Sequence, residues 1–263
     1  MRILLTNDDG FDAVGLAALW EAVRALSDVT VTAIAPRYPH SGLGHVFTDR
    51  LTVRTADVPP LGKVHVVEGT PVDCICAAVH HPHLSRPDWV IAGINAGGNL
   101  GVDIYPSGTV AAARQAAIFG IPAVAVSQVV VAGKPIDWTR AARETAAVLA
   151  ALLRPDDPPP AGTDAKLHLL TRRALVEAPV LPPNASPCWN VNLPRLADGQ
   201  PTTEVRVAAI SRDPVHLDYA LTELKDGGEQ LAYVGSYQDR PAGQGTDVEA
   251  TFGGAITLSR LPI

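Results

Sequence analysis

The first 153 residues alternate between two periodicities, and that alternation restricts the possible folds more than any other feature. Apolar runs of strand length at 2–6, 29–35, 63–67, 88–92 and 123–127 are interleaved with segments of helical spacing at 14–26, 71–79, 107–119 and 138–153. Strands that keep alternating with helices predict parallel pairing through crossover helices, so the expected class is α/β with a doubly wound, mostly parallel sheet. Such sheets collect their functional groups in the loops that leave the carboxyl ends of the strands. Asp8, Asp9, Ser41, Asn95 and Ser107 all fall in or near those loops.

The pattern changes after Arg154, where Pro155-Asp156-Asp157-Pro158-Pro159-Pro160 cannot continue a helix. This predicts a core over 1–154 and a C-terminal part over 155–263. Short β-like runs follow at 166–170, 204–210, 217–224 and 230–235. Lys225-Asp226-Gly227-Gly228-Glu229 separates the last two and predicts a hairpin, because glycine accepts the positive φ angles of tight turns.

The first run leads straight into Asn7-Asp8-Asp9-Gly10. Successive strand side chains point to opposite faces, so adjacent aspartates converge only where the backbone turns, and Gly10 makes a turn easy. Two convergent carboxylates repel unless a cation lies between them, and a hard ion such as Mg²⁺ or Mn²⁺ prefers oxygen ligands. Taken alone, the tetrapeptide also describes a polar turn that caps the next helix.

Later loops add compatible chemistry. Pro36-Arg37-Tyr38-Pro39-His40-Ser41-Gly42 places a hydroxyl beside a flexible residue. Gly93-Ile94-Asn95-Ala96-Gly97-Gly98-Asn99-Leu100-Gly101 carries four glycines and two carboxamides, as expected of a backbone that a ligand approaches closely. It matches neither the dinucleotide fingerprint nor the P-loop. Ser107-Gly108-Thr109 opens a helix, where exposed amides flanked by hydroxyls make an anion site. Ser107 also suits a plain N-cap. Cation ligands and a phosphate cradle on one sheet edge are the parts of a metal-assisted phosphate-ester hydrolase. A covalent aspartyl phosphatase would instead space two carboxylates as D-x-D after the first strand, and here they are adjacent.

Composition narrows the setting. With 47% hydrophobic and 18% charged residues the chain reads as a well-packed globule. Its formal charge of −6 disfavours polymeric nucleic acid and anionic membrane as partners, which leaves a small anion held locally. Cys74, Cys76 and Cys188 cannot all pair within one chain, and no signal peptide or membrane-length apolar run is visible, so a reducing cytoplasm is the expected home. His80, His81 and His83 follow a helix in a proline-containing loop and read as a polar helix end rather than a second metal site. Asp73 reads as structural, His40 and His45 as loop side chains near the mouth, and Tyr105 and Trp189 as candidates to border a base or sugar.

The chain resembles the SurE family of stationary-phase survival phosphatases. The blocks that carry the resemblance are Asn7-Asp8-Asp9-Gly10, Ala35-Pro36 leading to Ser41-Gly42, Gly69-Thr70-Pro71-Val72-Asp73-Cys74 and Gly93-Ile94-Asn95 with Asn99-Leu100-Gly101. Ser107-Gly108-Thr109-Val110, Asn190-Val191-Asn192-Leu193-Pro194 and Gly245-Thr246-Asp247 continue it in the family's order. The resemblance implies a Rossmann-like core and one divalent ion held by Asp8, Asp9, Ser41 and Asn95. It implies phosphate held by Asn99, Ser107, Gly108 and Thr109, with Asp8, Asp9 and Asn95 as catalytic residues. It further implies hydrolysis of nucleoside 5′- and 3′-monophosphates by metal-activated water, and a C-terminal hairpin arm exchanged between subunits of a dimer or tetramer. The alternatives are a phosphatase specialised for another phosphate ester or short polyphosphate, and a nucleotide-binding protein without turnover. Rim positions depart from the family pattern: Gly44 replaces a serine, Pro106 a tyrosine, and Gln115-Ala116 a Glu-Gly pair.

Overall fold

A computed structural model describes residues 1–178, 185–197, 199–215 and 217–263. The chain opens with β1 (Arg2–Thr6), α1 (Val14–Arg24), β2 (Thr30–Pro36), β3 (Thr52–Val58), β4 (Gly62–Glu68) and α2 (Pro71–His80). There follow β5 (Trp89–Ala96), α3 (Gly108–Ile118), β6 (Ala123–Gln128), α4 (Trp138–Leu153) and α5 (Ala165–Val176). The remainder is β7 (Cys188–Leu193), β8 (Val205–Val207), β9 (Tyr219–Glu223), β10 (Glu229–Tyr233), α6 (Asp247–Phe252) and β11 (Ile256–Arg260).

Nine strands form one sheet in the order β3-β4-β2-β1-β5-β6-β7-β11-β8. Pairing from β4 to β7 is parallel, whereas β3 lies antiparallel on β4 and β11 antiparallel on β7. Residues on either side of Arg154 therefore supply strands to the same sheet. The doubly wound architecture follows from side-chain alternation in fully buried strands. Ile3 and Leu5 face a core shared with Leu16, Leu19 and Val23 of α1, Leu149 of α4 and Leu167 of α5. Leu4, between them, faces the opposite core with Ile75 of α2 and Val110, Ala113 and Ala116 of α3. No helix among the described residues is long and apolar enough to cross a membrane.

The expected strand at 166–170 is instead part of α5. Asp164 caps that helix by accepting the Leu167 amide at 3.0 Å, and Leu167, Thr171 and Ala174 are buried at helical spacing. The local run Lys166-Leu167-His168-Leu169-Leu170 resembles a strand only if the cap and the next turn are ignored. The run at 204–210 yields just the three residues of β8, and β3, β7, β11 and α6 were not anticipated.

β9 and β10 pair only with each other, around a turn in which Gly227 has φ of 82°. Every residue of both strands is exposed. The hairpin thus stands off the body as an arm.

Candidate active site

β2 pairs with one edge of β1 and β5 with the other. The chain reverses its progress across the sheet at β1, and the crevice at the carboxyl ends of β1 and β5 is the topological switch point where doubly wound sheets present ligand-binding loops. Asp8 and Asp9 leave β1 there, and Asn95 lies at the end of β5.

Local chemistry shapes the turn. Asn7 Nδ2 donates to the Gly10 carbonyl at 2.7 Å, and Gly10 takes φ of 110°, outside the range that side chains readily allow. The loop after β2 is tied to this turn: the Phe11 amide donates to Pro36 at 3.0 Å and the His40 amide to the Asp8 carbonyl at 2.8 Å. Ser41 follows immediately and is exposed. Further along the same loop the Gly44 amide donates to the Pro106 carbonyl at 2.8 Å, so the segment bridges the aspartates and the approach to Ser107.

The end of β5 is drawn in as well. The Ala96 amide donates to Asp9 Oδ2 at 3.4 Å, next to a register shift between Ala92 and Asn95. Asn95 Nδ2 donates to the Gly97 carbonyl at 2.9 Å, which leaves the carboxamide oxygen as its remaining ligand atom.

α3 begins directly against Asp8. The Thr109 hydroxyl donates to Asp8 Oδ1. A Cβ on Gly108 would lie 2.8 Å from Asp8 Cβ and 2.9 Å from Asp8 Oδ2, so only glycine permits this approach. Ser107 is the N-cap: its Oγ accepts the Val110 amide at 3.0 Å while its own proton stays available to a ligand. The start of α3 is thus in direct contact with Asp8, and Asp9 with the end of β5.

Electrostatics mark the same place. Asp8 is 4% exposed. Burial raises its pKa to about 6, helped by the neighbouring Asp9 charge and opposed by the Thr109 hydrogen bond. Burial also raises Asp9. No cationic side chain offsets either carboxylate among the described residues. Nor do three His, Cys, Asp or Glu side chains come together there to hold a metal. Two uncompensated carboxylates beside a hydroxyl and a carboxamide oxygen fit a hard divalent cation, whose ligands are then all oxygen.

Asn99 sits deeper than a simple phosphate donor would. Its Nδ2 donates to Ser127 Oγ at 2.7 Å and its amide to Asn192 Oδ1 at 2.9 Å, while Asn190 and Asn192 donate to its carbonyl at 2.7 and 3.1 Å. Ser127, Asn190 and Asn192 were not assigned a role from the sequence. The signal was available in Asn190-Val191-Asn192, since alternate positions on β7 share a face.

Other candidates lie elsewhere. Trp189 does not border the crevice: it is 3% exposed in the core, under the Arg260 guanidinium at 4.4 Å, on the face of β7 opposite the two asparagines. Tyr105 is exposed two residues before Ser107. His45 Nε2 bonds Gln115 Oε1 at 2.8 Å. His80 Nδ1 bonds the Cys76 carbonyl at 2.8 Å, and His81 and His83 pack edge to face at 5.6 Å. Asp73 completes a capping box with Thr70 and accepts the Thr48 amide at 2.9 Å, a structural task.

The raised Asp8 pKa has a testable sign. The unfolded carboxyl ionises near its ordinary value while the folded one stays protonated up to about 6. Between those values rising pH therefore removes stability from the metal-free protein, by roughly 3 kcal/mol at most. Asp8→Asn should raise the denaturant midpoint of EDTA-treated protein at pH 8, leave it unchanged near pH 4, and lose the stabilisation that Mn²⁺ gives the parent. A less stable Asp8→Asn variant at pH 8 in EDTA would contradict the electrostatic account.

Residues 3–216 match the family described as Survival protein SurE. A Synechocystis sp. protein, named by inference as a 5′-nucleotidase, is 38% identical over the whole of both chains. The 5′-nucleotidase SurE of Rhodospirillum rubrum is 49% identical over 130 residues, 49% of this chain and 48% of that one. The crystal structure of the SurE protein from Aquifex aeolicus superposes with a TM-score of 0.74 at 25% identity, covering 99% of this chain and 93% of that one. With a family match over most of its length and a relative 38% identical over the whole of both chains, this chain belongs to the SurE family.

Proposed function

We propose that the chain is a divalent-metal-dependent phosphomonoesterase that converts nucleoside 5′- and 3′-monophosphates and water to nucleoside and phosphate. The observation that carries this is the contact between Asp8 and the start of α3. A phosphoryl group at that helix start meets a buried carboxylate, and the two anions share the crevice only with a cation between them. The 5′-nucleotidase names of the relatives support the substrate class.

In this scheme Asp8, Asp9, Ser41 and Asn95 hold one Mg²⁺ or Mn²⁺, which when bound supplies Lewis acidity and neutralises phosphoryl charge. The Ser107 hydroxyl and the first amides of α3, at Gly108 and Thr109, hold phosphoryl oxygens. The Thr109 hydroxyl keeps Asp8 oriented, and Asn99, anchored by Ser127, Asn190 and Asn192, completes the phosphate-holding set. Three free cysteines suit the reducing cytoplasm that we assign to it.

A phosphate-release panel of 5′- and 3′-nucleotides, sugar phosphates and short polyphosphate, each with Mg²⁺, Mn²⁺ or EDTA, tests the assignment. Nucleoside monophosphates should be hydrolysed only with metal, and Asp9→Asn should lower kcat/KM on the order of 10³-fold while the protein stays folded. Full turnover in EDTA would sink the metal scheme, and preference for another ester would move the substrate class.

The arm supports a second proposal, that the protein assembles with copies of itself. Tyr219, Leu221, Leu231, Tyr233 and Val234 are each close to half exposed or more, and an isolated hairpin is at best marginal in water. Light scattering at micromolar concentration should report a dimer or tetramer; a monomer would count against arm exchange.

A further inference from the structure

Beyond the arm, the chain returns to the body at a place the reaction scheme leaves unused. Tyr237–Asp239 form a single 3-10 turn, and Tyr237 and the following Arg240 contact the glycine-rich loop. The Tyr237 hydroxyl donates to the Gly98 carbonyl at 3.0 Å, and a Cβ on Gly98 would come within 2.7 Å of that hydroxyl. Arg240 Nη1 donates to the Leu100 carbonyl at 3.3 Å and to Asp103 Oδ2 at 2.5 Å. The same guanidinium lies 3.9 Å from the centre of the Tyr237 ring, whose other neighbour is the Phe252 ring at 6.0 Å. Gln238 Nε2 donates to the Val130 carbonyl at 3.1 Å, just past the end of β6.

These contacts bracket Asn99, engaging the residue before it and the residue after it. From below, Asn99 is held by Ser127, Asn190 and Asn192. Asp247 Oδ2 accepts the Gly101 amide at 2.9 Å and continues the line of anchors. The Arg240 side chain is 7% exposed, so its ion pair with Asp103 lies largely out of water, where loss of one partner leaves a costly buried charge. A loop with four glycines has little conformational preference of its own, and its position has to be imposed by what it touches.

We propose that Tyr237 and Arg240 are positioning residues for phosphate: they set the placement of residues 98–103, and thereby of Asn99 and the approach to Ser107, against the Asp8–α3 contact. This rests on the phosphatase reading above. Neither side chain is required to touch the reacting atoms. Their effect is geometric, and displacements of about 1 Å at a phosphoryl site cost up to about 100-fold in rate.

The test compares the full-length parent with Tyr237→Phe and Arg240→Gln in four measurements. These are amide hydrogen exchange over 98–103, the inhibition constant of inorganic phosphate, Mn²⁺ affinity by calorimetry, and kcat/KM for a nucleoside monophosphate. Expected are faster exchange confined to 98–103 and losses of about tenfold in phosphate affinity and in kcat/KM, with Mn²⁺ affinity unchanged within about twofold. Tyr237→Phe removes one hydroxyl and keeps the ring, so it carries the test should Arg240→Gln fail to fold. Parent-like exchange, or faster exchange with parent-like phosphate affinity and turnover, overturns the proposal; so does a parallel loss of Mn²⁺ affinity and overall stability, which indicates a structural role alone. A parent that releases no phosphate overturns the phosphatase reading and this inference with it, whereas an active parent with equally active variants overturns only the inference.

Discussion

Asp8 and Thr109 lie 101 positions apart in the chain, and the hydrogen bond between them sets a carboxylate of the first strand on the start of α3. Two effects compete there. A helix N-terminus favours a negative charge by about 0.3–1 kcal/mol, but withdrawing that charge from water costs several times as much. The upward shift of Asp8 shows that burial wins. The fold therefore holds this group against its own preference, and what holds it is the pair of hydrophobic cores on either side of β1.

The neighbouring loops make sense as consequences of that contact. Gly108 has no side chain because the carboxylate occupies its place. The loops after β1 and β2 are joined backbone to backbone, through Phe11 to Pro36 and His40 to Asp8, and Ser41 is the residue next to the second link. Asp9 reaches the end of β5 through the Ala96 amide, and Asn95 stands next to that link. A cation at this point relieves the electrostatic cost, so metal binding and local stability are expected to be coupled.

Legibility from the sequence followed the range of the interactions. The strand–turn at Thr6 to Gly10, the N-cap at Ser107 and the hairpin turn at Gly227 are local, and each announces itself in consecutive residues. The Lys166–Leu170 run is strand-like in composition, and the Asp164 cap that marks it as helix lies outside it. β3 and β11 escaped because edge and near-edge strands here carry polar or charged residues among the apolar ones. Partners separated by long stretches of chain, such as Tyr237 with Gly98, have no consecutive signature at all. Trp189 looked available for a ligand, yet the alternation that aims Asn190 and Asn192 at Asn99 sends it into the opposite core.

The central claim is that the aspartate pair and the start of α3 form one site in which cation and phosphate depend on each other. Calorimetric titration of inorganic phosphate into the protein with and without saturating Mn²⁺, and of Mn²⁺ with and without phosphate, measures that dependence. The account predicts that each tightens the other, by the same factor in both directions, as linkage requires. Phosphate binding equally well to metal-free protein, or Mn²⁺ binding that ignores phosphate, would contradict it.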